Sequence, residues 1–339
     1  MRVRIRLPKI NWSSPRTLLS LTFLALALVY PLVVRDIYLR HVAIEVLLWA
    51  CLAQSWNIIG GYGGQLSLGH AAFFGLGAYT STLLHFEGVS PWIGMFIGGF
   101  VAMASCLIIS YPTFRLRGPF FALASIAFVE LLRIIFLSFR DFTGGAVGLT
   151  QPYHGVQGDP LFMQFSIKLG KLPWFYIILG MFLVIELIVY KSERSKLGYS
   201  LVAIREDQEA AESLGVHSLR SKMKAMLISA FLTGVLGTFY ANYFYFIDPD
   251  TVFNINISIE MAVVAIIGGV SSLWGPLIGA MFLVPVDLYT NVWLGGTYAG
   301  VHLIVYGVII MFVVRFFPFG FIGYVKSGYD KLVSLLEKR

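Results

Sequence analysis

Charge is scarce in this sequence. Only 13% of its 339 residues are Asp, Glu, Lys or Arg, about half the share that a water-soluble domain carries. Apolar residues reach 58%, an excess that one soluble core of this size cannot cover with polar surface. Mean hydropathy is +0.78, which points to lipid as the solvent. Cysteine is nearly missing: Cys51 and Cys106 both lie in apolar runs. Two isolated cysteines exclude a disulfide framework and a cysteine-based metal site, and both read as small buried hydrophobes. Catalytic signatures are missing too, with no His-Glu-x-x-His, Gly-x-Ser-x-Gly or Walker sequence. No residue is assigned to catalysis or to a metal, and no cofactor is expected. Any nucleotide that drives this protein must bind another chain. Acids are the scarcer charge, 18 against 25 bases. The bases cluster in short segments between apolar runs, a positive-inside pattern rather than a nucleic-acid footprint.

What is present is a series of apolar runs, each about as long as a membrane crossing requires. Ten spans are expected: Leu18–Val34, Val42–Ile59, Leu66–Phe86, Trp92–Phe114, Gly118–Phe139, Leu172–Tyr190, Met223–Ile247, Ile257–Val270, Leu273–Tyr289 and Gly300–Phe317. The first follows Arg2, Arg4, Arg6, Lys9 and Arg16, and its only small-x-small site, Ala25 to Ala27, falls mid-run. An anchor is therefore expected there rather than a cleaved signal. The organisation reads as a basic cytoplasmic arm (1–17), a membrane domain (18–317) and a cytoplasmic tail (318–339). Arg115 and Arg117, the 191–222 segment and the tail cations Lys326, Lys331, Lys338 and Arg339 mark the cytoplasmic side. Asp248 and Asp250, with no cation beside them, mark the outside. So does the Gly- and Pro-rich loop 140–171, which reads either as a connector or as a surface for an external partner. The parity closes with both termini inside if 257–289 breaks at Gly268-Gly269, either as two short spans or as a re-entrant pair.

The run Gly60-Gly61-Tyr62-Gly63-Gly64-Gln65-Leu66-Ser67-Leu68-Gly69-His70 interrupts this apolar pattern. Glycine allows close helix packing and non-helical backbone. Gln65, Ser67 and His70 put polar groups at the break, which favours a turn lining a transport pathway over plain packing. No Gly-Lys-Ser/Thr follows, so it is not a phosphate loop. A fainter echo lies at Gly268-Gly269-Val270-Ser271-Ser272-Leu273, where Gly268, Gly269, Ser272 and Leu273 match Gly63, Gly64, Ser67 and Leu68. It serves as a pointer to two broken segments.

One long polar, helix-favouring stretch lies between spans, Gly198 to Gly215. Arg205, Glu206, Asp207 and Glu209 crowd its middle, Ala210 and Ala211 leave room for another surface, and Gly215 suits a helix stop. It reads as a solvated loop helix or as a docking helix. Glu209-Ala210-Ala211 followed three residues later by Gly215 resembles the coupling loop of ATP-binding-cassette (ABC) importer permeases, although the hydrophobic-Pro ending is absent. With Ala203–Gly215, Asn57–Gly69 and Ile267–Gly279, the chain resembles the LivM-type permeases of branched-chain amino-acid importers over most of its length beyond the first span. The resemblance implies an all-α fold of about ten transmembrane helices, near that of the vitamin B12 importer permeases. It also implies a LivH-type partner permease, two cytoplasmic ATPases, a periplasmic binding protein and a place in the bacterial inner membrane.

Within the spans, Glu130 and Arg133 stand at i,i+3, close enough to pair. They read as a structural ion pair or, for Glu130, as part of the pathway. Glu45 and Glu186 are expected near span ends, where snorkelling makes a charge cheap. Glu260, Asp287, Asn242 and His302 are weaker candidates. The functional expectation is transport of branched-chain or other hydrophobic amino acids. Urea or short amides are the alternative solutes, and an ion-coupled carrier or channel is the alternative class.

Overall fold

The computed structural model describes residues 25–114, 119–151, 170–294, 301–316 and 320–324. The basic arm, Arg115, Arg117 and the cations of the tail lie outside the described residues, as do the start of the first expected span and residues 152–169 of the 140–171 loop.

Helix α1 covers residues 25–33 of the first expected span. Helix α2 (Ile37–Asn57) starts where Asp36 accepts the amides of Tyr38 and Leu39 at 2.7 and 3.1 Å, an N-cap that satisfies two orphan donors. It runs into a π turn, Ile58–Tyr62. Helix α3 (His70–Phe86) begins later than the apolar run, because residues 64–69 are not helical. Ser90 caps α4 (Pro91–Thr113), with Pro91 at its first position. Helix α5 is Pro119–Ser138, α6 a single turn at Arg140–Thr143, and α7 Leu172–Glu193. Helices α8 (Lys196–Glu206) and α9 (Gln208–Ser213) divide the polar stretch. Helix α10 (Ser218–Phe244) is the longest of the described helices. The short α11 (Pro249–Val252) leads into α12 (Ile255–Gly268), and α13 (Gly275–Leu294) and α14 (Val301–Phe316) complete the set. Seven of these stretches are long and apolar enough to cross a membrane. The other expected spans fall on α1, on α3 and on α14, which have 17 and 16 residues in the last two cases.

Two groups of helices make up the interior. Helix α10 packs between α3 and α4, while α2 packs on α7, α12 and α13, and α10 touches α2 to join the groups. Small residues make the first group possible. In α4 the buried positions Gly94, Gly98, Ala102, Cys106 and Ser110 recur every four residues, a stripe of the kind membrane helices use to approach closely. A Cβ on Gly98 would fall 2.9 Å from the Gly77 carbonyl oxygen, and one on Gly234 would fall 2.7 Å from the Ala102 methyl. Both cysteines are fully buried and free. Large apolar side chains such as Phe96, Ile108, Phe120, Leu123 and Val184 point outward, as helices solvated by lipid require.

At one end of the bundle a two-residue antiparallel ladder joins Leu149 to Ile247 and Thr150 to Phe246. Gln151 braces it, with its side-chain amide donating to Thr82 Oγ1 at 2.6 Å and its amide oxygen meeting His85 Nδ1 at 2.9 Å. At the same end Arg133 bonds both Glu130, at 2.5 and 2.9 Å, and Asp250, at 2.5 Å. The expected i,i+3 pair therefore forms, and Asp250 turns it into a triad.

Two expectations are corrected. Glu45 and Glu186 are each only 7% exposed and do not snorkel. The cause is that α2 and α7 pack face to face, so both side chains are covered by neighbouring helices. Glu186 accepts from Gln54 at 3.2 Å, and Glu45 lies within electrostatic reach of Lys171. The polar stretch is also not one helix. Asp207 is extended (φ −156°, ψ 112°) and uses its carboxylate to cap α9 rather than continue α8.

Candidate functional site

The two glycine-containing turns, 205 residues apart in sequence, meet at the end of the bundle opposite the Arg133 triad. The length of α12 separates them from that end. The first turn is made by Gly63 and Gly64, where the π turn ends and Gly64 takes φ +64°. The second is made by Gly268 and Gly269, where α12 ends and Gly269 takes φ +122°. Residues 269–274 fold back so tightly that Gly268 lies against the Gly275 carbonyl and Gly279 against that of Val264. Phe321, beyond α14, donates its amide to the Ile267 carbonyl at 2.9 Å and closes the same end.

Polar side chains stitch the turns together. Asn57 Oδ1 accepts the Ser271 amide at 2.9 Å, and Asn57 Nδ2 donates to the Ser272 carbonyl at 3.1 Å. Gln54 Nε2 donates to the Leu273 carbonyl at 2.9 Å. The Ser271 hydroxyl donates to the Gly61 carbonyl at 2.8 Å. Ser272 accepts the Gly275 amide at 3.0 Å, so it opens α13. Unpaired backbone groups at such breaks would be costly away from water, and these side chains satisfy them. Ser271 itself is held at φ 57°, unusual for a residue with a Cβ.

The remaining expected pathway residues are spread out. Ser67 and His70 are fully buried. His70 Nδ1 lies 3.1 Å from Ser67 Oγ and its Nε2 lies 2.7 Å from Ser229 Oγ, while Ser229 donates to the Ser55 carbonyl at 2.6 Å. That network ties α3, α10 and α2 together. Gln65 is half-buried, with its amide on the Ile59 carbonyl at 3.1 Å. Glu130 is exposed and belongs to the opposite end, with Arg133 and Asp250.

Helices α8 and α9 adjoin the paired turns. Buried Leu201 and Ile204 seat α8, and a Cβ on Gly63 would lie 3.4 Å from Leu201 Cδ2. Arg205 reaches across, donating to Ser271 Oγ at 2.5 Å and to the Gly61 carbonyl at 3.4 Å, while Glu206 pairs with it at 2.7 Å. Helix α9 ends in a Schellman motif: Gly215 (φ +87°) donates to the Glu212 carbonyl and Val216 to that of Ala211. Gln208, Glu212 and Ser218 bond to one another, and Lys222 donates to Gln208 at 2.8 Å. Those bonds brace α9 on α10. Asp207, Glu209, Ala210 and Gly215 are exposed. Ala211 is not. It is 3% exposed, because its small side chain is what lets α9 lie against α8 and α10. Leu214, unremarked in the sequence, stands 87% exposed beside the glycine stop.

Known proteins match this chain. The family described as branched-chain amino acid transport system / permease component matches residues 38–314. The chain belongs to that family. It is thus a multi-pass membrane permease component of the ABC importers, which work with an ATPase and a binding protein and whose permeases carry no nucleotide-hydrolysing domain. It is similar to the high-affinity branched-chain amino acid transport permease LivM of Escherichia coli K12, with 30% identity over 82% of this chain and 69% of the relative. The LivM protein of Salmonella typhimurium is 29% identical over the same shares. A probable LivH permease of Methanocaldococcus jannaschii is 24% identical over 77% of this chain and 83% of the relative. No solved structure matches.

Sequence reasoning reached both glycine turns and the polar stretch. It missed Gln54 and Ser271 and used Asn57 only as part of a resemblance. Gln54 and Asn57 are polar, one turn apart in an apolar helix, directly ahead of the glycine run. Buried polar residues in a span need partners, and that was the available signal.

Proposed function

We propose that this chain is the LivM-type permease subunit of an importer for branched-chain or other hydrophobic amino acids in a bacterial inner membrane. The similarity to LivM over 82% of the chain carries the reading of the solute. In this reading both termini and the 191–222 loop are cytoplasmic, loop 140–171 faces the periplasm, and a LivH-type subunit completes the membrane pathway. Two ATPases dock on the cytoplasmic face, where α9 presents Ala210, Leu214 and Gly215. The glycine turns (Gly63, Gly64, Gly268, Gly269 and Ser272) act as the joints at the cytoplasmic end of the pathway rather than as solute contacts. A zwitterionic solute with an apolar side chain needs few charged contacts, which fits a bundle whose interior is mostly apolar.

Competition for uptake tests the solute. With the complete importer in vesicles and labelled leucine as the tracer, excess unlabelled isoleucine and valine should each suppress uptake, and urea, acetamide and uridine should not. If leucine is not taken up while urea, an amide or a nucleoside is, the amino-acid reading fails.

A further inference from the structure

We propose that Arg205 is a positioning residue: it latches α8, which leads into the docking helix α9, to both glycine turns, and so carries motion of the cytoplasmic loop into the membrane helices. The proposal rests on the coupling role given above to residues 191–222, and it names the contact through which that role is exercised.

An unbroken column of hydrogen bonds begins at Arg205. Its guanidinium donates to Ser271 Oγ, and the Ser271 amide donates to Asn57 Oδ1. Asn57 Nδ2 donates to Gln54 Oε1 at 3.1 Å. Gln54 Nε2 donates to Glu186 Oε2 at 3.2 Å. Four elements are crossed in turn: α8, the 269–274 turn, α2 and α7. Gln54, Asn57 and Glu186 are buried, whereas Arg205 is exposed on its outer side. Arg205 is therefore where a movement made outside the bundle enters the column.

The fit at that point is close. Gly64 has no side chain where Arg205 lies, and a Cβ there would fall 2.6 Å from Arg205 Cγ. The Gly61 carbonyl accepts from both Ser271 and Arg205, so the same group reports on α8 and on the second turn. The guanidinium fork can serve two acceptors in fixed directions, which an ammonium does less well. Among the described residues, the acid paired with Arg205 is its neighbour Glu206, on the same helix, so that pair moves with α8 and does not anchor it elsewhere. When α8 shifts, the Arg205–Ser271 contact must pull the second turn along or break. Coupling of this kind needs an element that can occupy two arrangements, and in this proposal that element is α8 on the two glycine turns.

The test uses the complete importer in proteoliposomes and measures solute taken up per ATP hydrolysed in the presence of the binding protein. Arg205→Gln is expected to lower that ratio roughly tenfold, within the range of ordinary coupling energies. Arg205→Lys should recover part of it, because one donor still reaches Ser271. Ser271→Ala should reproduce the loss, and the double variant should be no worse than the worse single one, as expected for one shared contact. Ser271→Ala removes one hydroxyl from a turn, so it decides the matter if Arg205→Gln fails to accumulate. A wild-type ratio in Ser271→Ala, or losses that multiply in the double variant, would overturn the latch. If the wild-type permease co-purifies with no ATPase at all, it is the coupling role of the loop that falls.

Discussion

Gly77 and Gly180 sit in comparably apolar helices, and only their neighbours distinguish them. Gly77 faces Gly234 at the crossing of α3 and α10, where a Cβ would collide with the Gly234 carbonyl. Around Gly180 in α7 nothing lies within 4 Å of a Cβ. Gly77→Val should therefore force the helices apart, at a cost of at least the roughly 1–3 kcal/mol typical of overpacking. Gly180→Ala should be neutral or should stabilise by up to about 1 kcal/mol through helix propensity. Thermal unfolding of the detergent-purified chain checks the pair: the midpoint should fall for Gly77→Val and hold or rise for Gly180→Ala. Equal effects would mean that α3 and α10 do not cross at this point. Gly180 did not stand out in the sequence, since an apolar run with glycine looks the same whether the glycine meets a helix or meets lipid.

Helix α9 is fastened to its own chain on one side and exposed on the other. It has only six residues, a length that would not be stable alone. Asp207 caps its start, the Gly215 Schellman motif closes its end, and Gln208, Glu212, Ser218 and Lys222 fasten it to α10. One side is spent on that attachment, including Ala211, and Leu214 projects from the tip. Leu214→Asp should leave the permease in the membrane at normal abundance. It should weaken co-purification of the ATPase about tenfold or more, the effect of losing one well-buried apolar anchor at an interface. Ala211→Trp should instead lower abundance, since it overpacks α9 against its own chain. Full ATPase retention with Leu214→Asp would remove Leu214 from the docking surface. The Glu-Ala-Ala…Gly spacing falls on this element. It could not say which alanine faces inward, because the break at Asp207 resets the helical phase of everything after it.

For the whole molecule, the two ends of the bundle make opposite predictions. Val147, 83% exposed beside the two-stranded ladder, should lie outside, and Ser213 on α9 should lie inside. The chain's two cysteines, Cys51 and Cys106, are fully buried and give a quiet background. With a membrane-impermeant thiol reagent, Val147→Cys should react in intact spheroplasts and Ser213→Cys only after permeabilisation. The reverse labelling would invert the orientation drawn from the basic clusters. The sequence alone determined the solvent, the all-helical class, the two glycine breaks, the polar stretch and the permease family. All but the family follow from composition or from patterns a few residues long, and so are written locally; the family rests on the resemblance to LivM-type permeases. Tertiary structure alone decided that the two breaks touch, that Arg205 joins them, that Glu45 and Glu186 are covered, and that Glu130 belongs to the far end with Asp250. Those contacts link residues 66, 144 and 214 positions apart at the junction and 117 apart at the Arg133 triad. Helix packing sets which faces meet over such separations, and the run of apolar residues along any one helix does not encode it.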